Sequence, residues 1–286
     1  MREKKPEARS TKHEEQSAIR LAHLSDVHFG KISHPGIVEA LIEEVNAAEM
    51  DLVVVSGDLT QRATDDQYRD AKAMLNAFQA PIIVVPGNHD VRQFWHNPIE
   101  RVITPTIRFE RTITDDLTPT FSMDGLSVFG MNTAHGLTVK GGLVRKSSLD
   151  AMQTYFSTQP EDDLRVLVVH HHLIKNHALG RTDIAIGAAK AIDAAVASGV
   201  ELILCGHYHI SNVTAYPTEK GREIVIASAG TATSTRGRGE HRAINMYNWI
   251  AVEPGSFSIE ERKFGGDIFR FLSERATSFK RSGLPL

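Results

Sequence analysis

The segment IRLAHLSDVH at residues 19–28 decides the fold class, because two later segments repeat its plan of an apolar run followed by polar residues. These segments are DLVVVSGD at 51–58 and APIIVVPGNHD at 80–90. Near-continuous apolar runs of this kind are typical of strands that are buried on both faces. Two further runs, DLRVLVV at 163–169 and VELILC at 200–205, bring the number of predicted core strands to five.

Helix-like stretches separate these runs, at residues 34–48, 64–78 and 184–199. The second stretch begins with Thr64 and Gln67, which fit a capping box. Alternation of buried strands with helices is typical of an α/β fold with a largely parallel sheet.

Other regions predict antiparallel strands. Residues 119–134 read as a hairpin with a turn at Asp124-Gly125, and residues 223–252 and 256–263 read as antiparallel strands. A second sheet, mixed or antiparallel and packed beside the first, would accommodate all of them.

One domain is the simplest organisation. We expect a charged flexible tail at 1–18, the domain itself at 19–263 and a C-terminal extension at 264–286. Apolar residues within 264–279 could dock on their own domain or on a neighbouring copy, which leaves a homo-oligomer open. Residues 93–115 carry little periodicity and predict a loop or short helices.

Composition excludes several classes of protein. The 286 residues are 41% hydrophobic and 23% charged, as in a globular enzyme. A formal net charge of −3 implies no general affinity for nucleic acid, and no apolar run is long enough to cross a membrane. The single cysteine, Cys205, excludes an intramolecular disulfide and a cysteine-based zinc site. The N-terminus carries no secretory signal, so a cytoplasmic location is predicted.

Polar residues follow each of the five predicted core strands. The carboxyl ends of strands in open α/β sheets converge on the ligand crevice, so these residues are expected to meet. The glycines among them are expected to make tight turns or adopt positive φ beside a cation. The five signatures are Asp26-Val27-His28, Gly57-Asp58, Gly87-Asn88-His89-Asp90, His170-His171-His172 and Gly206-His207-Tyr208-His209.

The spacing of these residues indicates a metal site. Asp26 and His28 share one face of the chain and can chelate one ion, while His207 and His209 can share an ion or reach two adjacent ones. Asp58 could bridge two cations about 3.5–4 Å apart. Carboxylate and imidazole ligands suit Zn, Mn, Fe or Co.

Together these signatures resemble the calcineurin-like metallophosphoesterase family over about residues 20–252. In style they are most similar to the bacterial class III cyclic-nucleotide and glycerophosphodiester phosphodiesterases. The resemblance implies a four-layer αββα sandwich of two mixed sheets flanked by helices, with a dinuclear metal site.

The resemblance also implies the role of each site residue. The ligands of one ion would be Asp26, His28, Asp58 and His209. The ligands of the other ion would be Asp58, Asn88, His170 and His207. We prefer His170 to His171 because it directly follows the apolar strand. His89, Asn88 and Asp58 would be catalytic, with Asn88 and His89 also contacting substrate. His89 would protonate the leaving alkoxide or donate to the phosphoryl group.

Two positions depart from the family pattern. His172-Leu173 stands where relatives commonly have two prolines, which bears on substrate specificity more than on the metals. Gln61 stands where cyclic-nucleotide relatives often have an acidic residue. Its amide would orient His89 without raising the pKa of that imidazole, as a carboxylate would.

Several residues outside the signatures have two interpretations. Phe94, Trp95 and His96 could line a wall for a nucleobase or belong to a packed loop. Asp90 is expected to orient a neighbour, and Asn132 could touch the site floor. Basic side chains on the loops could contact substrate phosphate or be solvated: Arg145, Lys175, His177, Arg181, Arg236 and Arg238.

The function implied is a phosphodiesterase that uses two divalent cations and a metal-activated water to hydrolyse a small diester, either a cyclic nucleotide or a glycerophosphodiester. A phosphomonoesterase or a nuclease of the same fold remains an alternative, although the acidic balance argues against a grip on long nucleic acid. A scaffold that has lost catalysis is a further alternative, but all seven ligand positions are retained.

Overall fold

The chain forms two six-stranded sheets that pack face to face. The structure is a computed structural model and describes residues 18–93, 95–176, 180, 183–218, 223–237 and 244–281. All but one residue of the predicted tail at 1–18 therefore lies outside the described residues.

The first sheet has the strand order β12-β11-β10-β1-β2-β3 and is mixed. Its first three strands in the chain are parallel, and β10, β11 and β12 are added antiparallel to one side. The strands are β1 (Ile19–Leu24), β2 (Leu52–Val55), β3 (Ile82–Val84), β10 (Met246–Glu253), β11 (Ser256–Gly265) and β12 (Arg270–Lys280).

The second sheet has the order β4-β5-β6-β7-β9-β8, with a parallel centre and an antiparallel strand at each edge. The strands are β4 (Thr120–Met123), β5 (Leu126–Gly130), β6 (Leu164–Val168), β7 (Leu202–Cys205), β8 (Asn212–Pro217) and β9 (Glu223–Ser228).

Six α-helices accompany the sheets within the described residues. Thr64 caps the second of them, where its side chain accepts a hydrogen bond from the backbone N–H of Gln67. Only this half of the predicted capping box forms, because Gln67 Oε1 accepts hydrogen bonds from the backbone N–H groups of Gln61 and Arg62 instead. None of these helices is long and apolar enough to cross a membrane. They are α1 (Ile37–Ala47), α2 (Asp65–Ala77), α3 (Pro98–Ile103), α4 (Ile107–Thr112), α5 (Lys146–Ser157) and α6 (Ala188–Ala197).

Alternation along the strands divides the core into three apolar layers. In β1, Leu21 faces the second sheet, whereas Ala22 and Leu24 face the opposite way, into the layer beneath α1 and α2. On the far side of the molecule α5 and α6 cover the outer face of the second sheet. The four-layer αββα sandwich is therefore confirmed.

The five core strands do not share one sheet, contrary to the simplest interpretation of their alternation with helices. β1 to β3 lie in the first sheet, and β6 and β7 lie in the second. The antiparallel strands predicted within 223–252 also divide between the sheets, and β9 pairs with β7 in parallel. An apolar run shows that a strand is buried, but does not show which strand it pairs with.

The C-terminal segment docks on its own domain. β11 runs past the predicted boundary at residue 263, and β12 pairs with it along its length. Phe271 of β12 is 1% exposed and lies 5.2 Å, between ring centroids, from both Tyr247 and Phe264. Burial of these aromatic rings fixes the edge of the first sheet.

Candidate metal centre

The loops that follow β1, β2, β3, β6 and β7 meet at one edge of the sandwich. Backbone hydrogen bonds tie them together, from Asp26 N–H to the Gly57 carbonyl (3.0 Å), from His28 N–H to the Asp58 carbonyl (3.0 Å) and from Gly206 N–H to the His170 carbonyl (3.1 Å). The predicted convergence of strand ends therefore spans both sheets.

The backbone is strained at these strand ends. Among the described residues, eight other than glycine have positive φ, a region that costs side chains energy, and five of them are predicted metal ligands. Their φ angles are 54° at Asp26, 50° at His28, 54° at Asp58, 69° at His207 and 58° at His209. Strain of this kind persists only where the surrounding structure imposes it, as at functional sites.

Two of the glycines are required for close approach instead of for positive φ. At Gly87, φ is −103°, and a Cβ there would lie 2.1 Å from Asp58 Oδ1. A Cβ on Gly206 would lie 1.8 Å from Ser25 Oγ and 2.5 Å from Asp26 Oδ2. Tight turns or positive φ were expected at these glycines, and positive φ occurs at Gly57, where φ is 97°. At the other two the carboxylates leave no room for a side chain.

Four side chains form a first ligand group. His209 Nε2 lies 3.0 Å from Asp26 Oδ1 and 3.2 Å from His28 Nε2. His28 Nε2 lies 3.6 Å from both Asp26 Oδ1 and Asp58 Oδ2. All four side chains are buried, and their separations suit ligand atoms around one cation.

Backbone carbonyls orient the two imidazoles of this group. His28 Nδ1 lies 3.2 Å from the Thr60 carbonyl, and His209 Nδ1 lies 2.7 Å from the Arg236 carbonyl. A carbonyl can only accept, so each Nδ1 carries the proton and each Nε2 presents a lone pair to the centre. Two lone pairs 3.2 Å apart repel each other unless a cation lies between them.

A second group adjoins the first through Asp58. His170 Nε2 lies 3.4 Å from Asp58 Oδ2 and 3.3 Å from Asn88 Oδ1, and His207 Nδ1 lies 2.9 Å from the same amide oxygen. His170 Nδ1 faces the Ser56 carbonyl at 2.7 Å, which again directs Nε2 inward. Asp58 Oδ2 thus faces histidines of both groups.

The carboxylates of Asp26 and Asp58 fit cation binding, because each accepts hydrogen bonds on one of its two oxygens only. Asp26 Oδ2 accepts hydrogen bonds from Ser25 Oγ (2.7 Å) and His207 N–H (3.0 Å), and Asp58 Oδ1 accepts one from His89 N–H (2.8 Å). Asp26 Oδ1 and Asp58 Oδ2 are buried without a hydrogen-bond donor. An orphaned buried anionic oxygen is costly, and a cation would satisfy both.

Electrostatics support the same assignment. Burial opposes ionisation of Asp58, yet His170 and His89 hold its pKa well below the usual range. Burial likewise opposes a charge on His170, but the Asp58 carboxylate raises the pKa of that imidazole to about 9. Without a cation, the His170 imidazole therefore holds a proton, which supplies positive charge that a cation would otherwise supply.

His171 also borders the second group. Its Nδ1 lies 2.8 Å from Thr133 Oγ1, and its buried Nε2 has no hydrogen-bond partner. Its ligand atom lies within 4.8 Å of those of His170 and His207. His172, in contrast, stacks on Tyr208 with ring centroids 3.6 Å apart and belongs to neither group.

His89 is half-buried beside the first group, with its ring centroid 4.8 Å from that of His28. Its Nδ1 lies 2.8 Å from the backbone carbonyl of Gln61, whereas the Gln61 side chain accepts a hydrogen bond from Arg236 Nη1 at 3.2 Å. The expectation that the Gln61 amide orients His89 is therefore wrong, because the main chain does so. Burial lowers the pKa of His89 to about 4.

Asp90 holds the loops together, as expected of a residue that orients its neighbours. Its carboxylate accepts hydrogen bonds from Thr60 N–H (2.9 Å), Thr60 Oγ1 (3.0 Å), Gly87 N–H (2.9 Å) and Leu59 N–H (3.2 Å). Burial and the neighbouring Asp58 carboxylate raise its pKa to about 7. All its acceptor capacity is used, so it is not a ligand.

The remaining candidates have different outcomes. Trp95 is 66% exposed instead of packed, and Asn132 is buried with its Oδ1 accepting the Ala134 N–H at 2.7 Å. Phe94, His177, Arg181 and Arg238 lie outside the described residues. The sequence analysis missed Ser25 and Thr133, although both come directly after or near a strand end and could have been found by the same rule.

Comparison with known proteins agrees with this geometry. A model of the calcineurin-like phosphoesterase family matches residues 19–211. The 3′,5′-cyclic adenosine monophosphate phosphodiesterase CpdA of Escherichia coli is 23% identical over 207 residues, which are 68% of this chain and 70% of that protein. A cAMP/cGMP dual specificity phosphodiesterase of Mycobacterium tuberculosis is 25% identical over 256 residues, or 79% and 74% of the two chains. Glycerophosphodiester phosphodiesterase GpdQ of Enterobacter lignolyticus is 34% identical, but over only 80 residues, 24% of this chain and 29% of that one.

Solved structures share the fold at low identity. Purple acid phosphatase PPD1 of yellow lupin superposes with a TM-score of 0.71 at 10% identity, covering 93% of this chain and 54% of its own. A dimetal phosphatase from Danio rerio gives 0.63 at 10% identity, covering 93% and 100%.

Proposed function

The chain belongs to the calcineurin-like phosphoesterase family, and from this premise we propose that its centre binds two divalent cations and hydrolyses small phosphodiesters. Family membership makes it a metal-dependent phosphoric ester hydrolase. The proposal adds the number of ions, the ligands of each and the diester preference.

One observation carries the dinuclear assignment, namely the position of Asp58 Oδ2. This oxygen is buried without a donor, 3.6 Å from His28 Nε2 and 3.4 Å from His170 Nε2. It would be a ligand of both ions, the first held also by Asp26, His28 and His209 and the second by Asn88, His170 and His207. The imidazole and carboxylate donors suit Mn, Fe, Zn or Co.

Bound cations supply positive charge for the phosphate oxygens and lower the pKa of a water molecule that attacks phosphorus. The chain's own residues position the substrate and move protons. Asn88 presents its amide at the junction of the two groups and would donate to a phosphate oxygen. The Gln61 carbonyl fixes the Nδ1 proton of His89, so Nε2 is the atom free to exchange a proton with the leaving group.

The preference for diesters is supported by relatives, two of which are named as cyclic-nucleotide phosphodiesterases. His89 would serve either class of ester, because the alkoxide released from a diester or from a monoester needs a proton. Burial lowers the pKa of its imidazole to about 4, and an anionic phosphate beside Nε2 would raise that pKa.

A turnover panel on the Mn-loaded protein tests the proposal. We expect higher kcat/KM for 3′,5′-cyclic nucleotides, glycerophosphodiesters or bis-p-nitrophenyl phosphate than for p-nitrophenyl phosphate, with two metal ions per chain. Faster hydrolysis of the monoester would replace the diester assignment with a phosphomonoesterase, and cleavage of plasmid DNA would indicate a nuclease. One ion per chain would contradict the bridging role of Asp58.

A further inference from the structure

Exposed apolar side chains are concentrated beside the metal centre. Of the eleven large apolar side chains that are exposed among the described residues, seven lie on three segments, at residues 95–103, 137–139 and 186. We call these seven the apolar rim: Trp95, Ile99, Val102, Ile103, Leu137, Val139 and Ile186.

A buried arginine fastens the first two segments of the apolar rim together. Arg101 of α3 is 3% exposed and donates to the backbone carbonyls of Arg92 (2.7 Å), Gly136 (3.0 Å) and Thr138. Backbone carbonyls hold the charge of Arg101, so α3 stays beside the loop at 134–141, with Ile99 and Ile103 on the exposed side of the helix. The helix and the loop that carry most of the rim are thus held in fixed positions.

Two of the three segments adjoin the candidate metal centre. Leu143 N–H donates to the Thr133 carbonyl (2.9 Å), and Thr133 Oγ1 lies 2.8 Å from His171 Nδ1. Gly142 packs directly on the imidazole, since a Cβ there would lie 2.5 Å from His171 Cγ. The third segment joins at the same point, where Ile186 N–H donates to the Gly142 carbonyl at 2.8 Å.

Charge beside the rim favours an anion. Lys140 is exposed next to Val139, and Arg145 has no carboxylate partner within the described part of the chain. Glu100, the nearest acid on α3, is paired with Arg108 at 2.7 Å. An apolar surface with unpaired cations, adjoining a phosphate-hydrolysing centre, suits an anionic amphiphile more than it suits the same surface of a second copy.

We propose that the substrates are amphipathic phosphodiesters, with an apolar arm that lies on the apolar rim while the phosphate occupies the metal centre. This inference rests on the proposed function and names its substrate class. Water adds to phosphorus, one P–O ester bond breaks and the released alkoxide takes up a proton, which yields a phosphomonoester and an alcohol.

A chain-length series tests the proposal on the full metal-loaded protein. The substrates are p-nitrophenyl alkyl phosphates with methyl, butyl and octyl arms, used below their micelle concentrations. We expect kcat/KM to rise with chain length, by up to about fourfold for each methylene that is fully removed from water. In the double variant Ile99→Ser with Leu137→Ser, the ratio of octyl to methyl kcat/KM should fall at least tenfold.

The control is Ile268→Ser with Leu272→Ser, which removes two apolar side chains, 53% and 51% exposed against 74% for Ile99 and Leu137, from the turn and strand at the far edge of the first sheet. This variant should keep the wild-type ratio. A flat chain-length dependence in the wild type, or an equal loss in both variants, would overturn the proposal. One further result would overturn it. If the wild type sediments as a dimer, and the Ile99→Ser/Leu137→Ser variant sediments as a monomer with an unchanged ratio of octyl to methyl kcat/KM, then the rim is an interface between copies.

A binding measurement separates this proposal from the proposed function. Octylphosphonate and methylphosphonate are not hydrolysed, and Trp95 fluorescence reports contact with the rim. We expect tighter binding and a blue shift for octylphosphonate only, both lost in the Ile99→Ser/Leu137→Ser variant. If diesters are not turned over but this difference persists, the rim binds apolar arms and the diester assignment alone is wrong. Equal binding of the two phosphonates would refute the rim.

Discussion

Asp58 is the residue on which both ligand groups depend, because its Oδ2 faces His28 on one side and His170 on the other. We predict that Asp58→Ala loses activity to background and lowers bound metal from two ions per chain to one or none. Metal analysis after dialysis measures this directly.

The control is Asp66→Ala, which removes an exposed carboxylate paired only with Arg69 among the described residues. This variant should keep both ions and full activity, because exposed pairs contribute little. Two ions and near-normal turnover in Asp58→Ala would contradict the bridging role.

His207 and His209 should bind different ions although they are two residues apart. His209 Nε2 faces Asp26 Oδ1 at 3.0 Å, while His207 Nδ1 faces Asn88 Oδ1 at 2.9 Å. We predict that His209→Ala and Asp26→Ala weaken the same ion, restored in part by excess Mn, and that His207→Ala weakens the other. Calorimetric metal titration distinguishes the two sites. Identical titrations for His207→Ala and His209→Ala would show that our division of the ligands is wrong.

His89 is expected to act on the leaving group without holding metal, since it belongs to neither ligand group among the described residues. We predict that His89→Ala keeps its metal and loses about 10²–10⁴-fold in kcat with alkyl diesters. The loss should be much smaller with p-nitrophenyl diesters, whose leaving group needs little protonation. Equal losses for both would indicate charge stabilisation instead of proton donation, and loss of metal would make His89 a ligand.

At the scale of elements, the turn after β7 shows how loops position ligands. Gly206 lies so close to Ser25 and Asp26 that a Cβ would overlap their oxygens at 1.8 and 2.5 Å. We predict that Gly206→Ala displaces Asp26 and weakens the first ion by about 10–100-fold, although no ligand is changed. Metal titration is the measurement. Gly266→Ala is the control, because no atom lies within 4 Å of its added Cβ; equal effects would mean that crowding at Gly206 is not the cause.

The sequence predicts the elements of the centre well, because each core strand is an apolar run that is followed directly by polar residues. Each of the five core strands lies within its predicted range, and the ligand side chains follow them directly. α5 was missed, although Leu149, Met152 and Phe156 recur at helical spacing and mark its buried face. That helix could have been predicted.

Other features depend on contacts between distant parts of the chain, which periodicity does not encode. The parallel pairing of β9 with β7 places a strand of the predicted antiparallel region in the second sheet. Gln61 has the expected position but uses its backbone carbonyl, because Arg236, 175 residues away, takes its side chain. The apolar rim likewise becomes visible only when Arg101 joins two segments that are apart in sequence.

For the whole molecule, the sandwich buries histidines that are not ligands and so couples stability to pH. His23 lies between Ser56 Oγ (2.9 Å) and Asn248 Nδ2 (3.2 Å), and burial lowers its pKa to about 3. Burial lowers the pKa of His172 to about 3 as well. Both histidines have pKa values near 6.5 in the unfolded chain, so between pH 3 and 6.5 they bind more protons there than in the folded chain.

We therefore predict that His23 contributes stability in full above pH 6.5 and that this contribution is lost as the pH falls from 6.5 towards 3. Its slope is about 1.4 kcal/mol per pH unit. His170, with a pKa of about 9, is protonated in both states below pH 6.5 and does not change the pH dependence of stability there. Asp90, with a pKa of about 7, contributes a slope of the opposite sign. Urea unfolding of the chelator-treated chain at pH 4.5–6.5 isolates His23 by comparison with His23→Gln, which shares the other groups. The variant should lose about 1.4 kcal/mol per pH unit of the wild-type slope, and parallel curves would show that His23 does not titrate on unfolding.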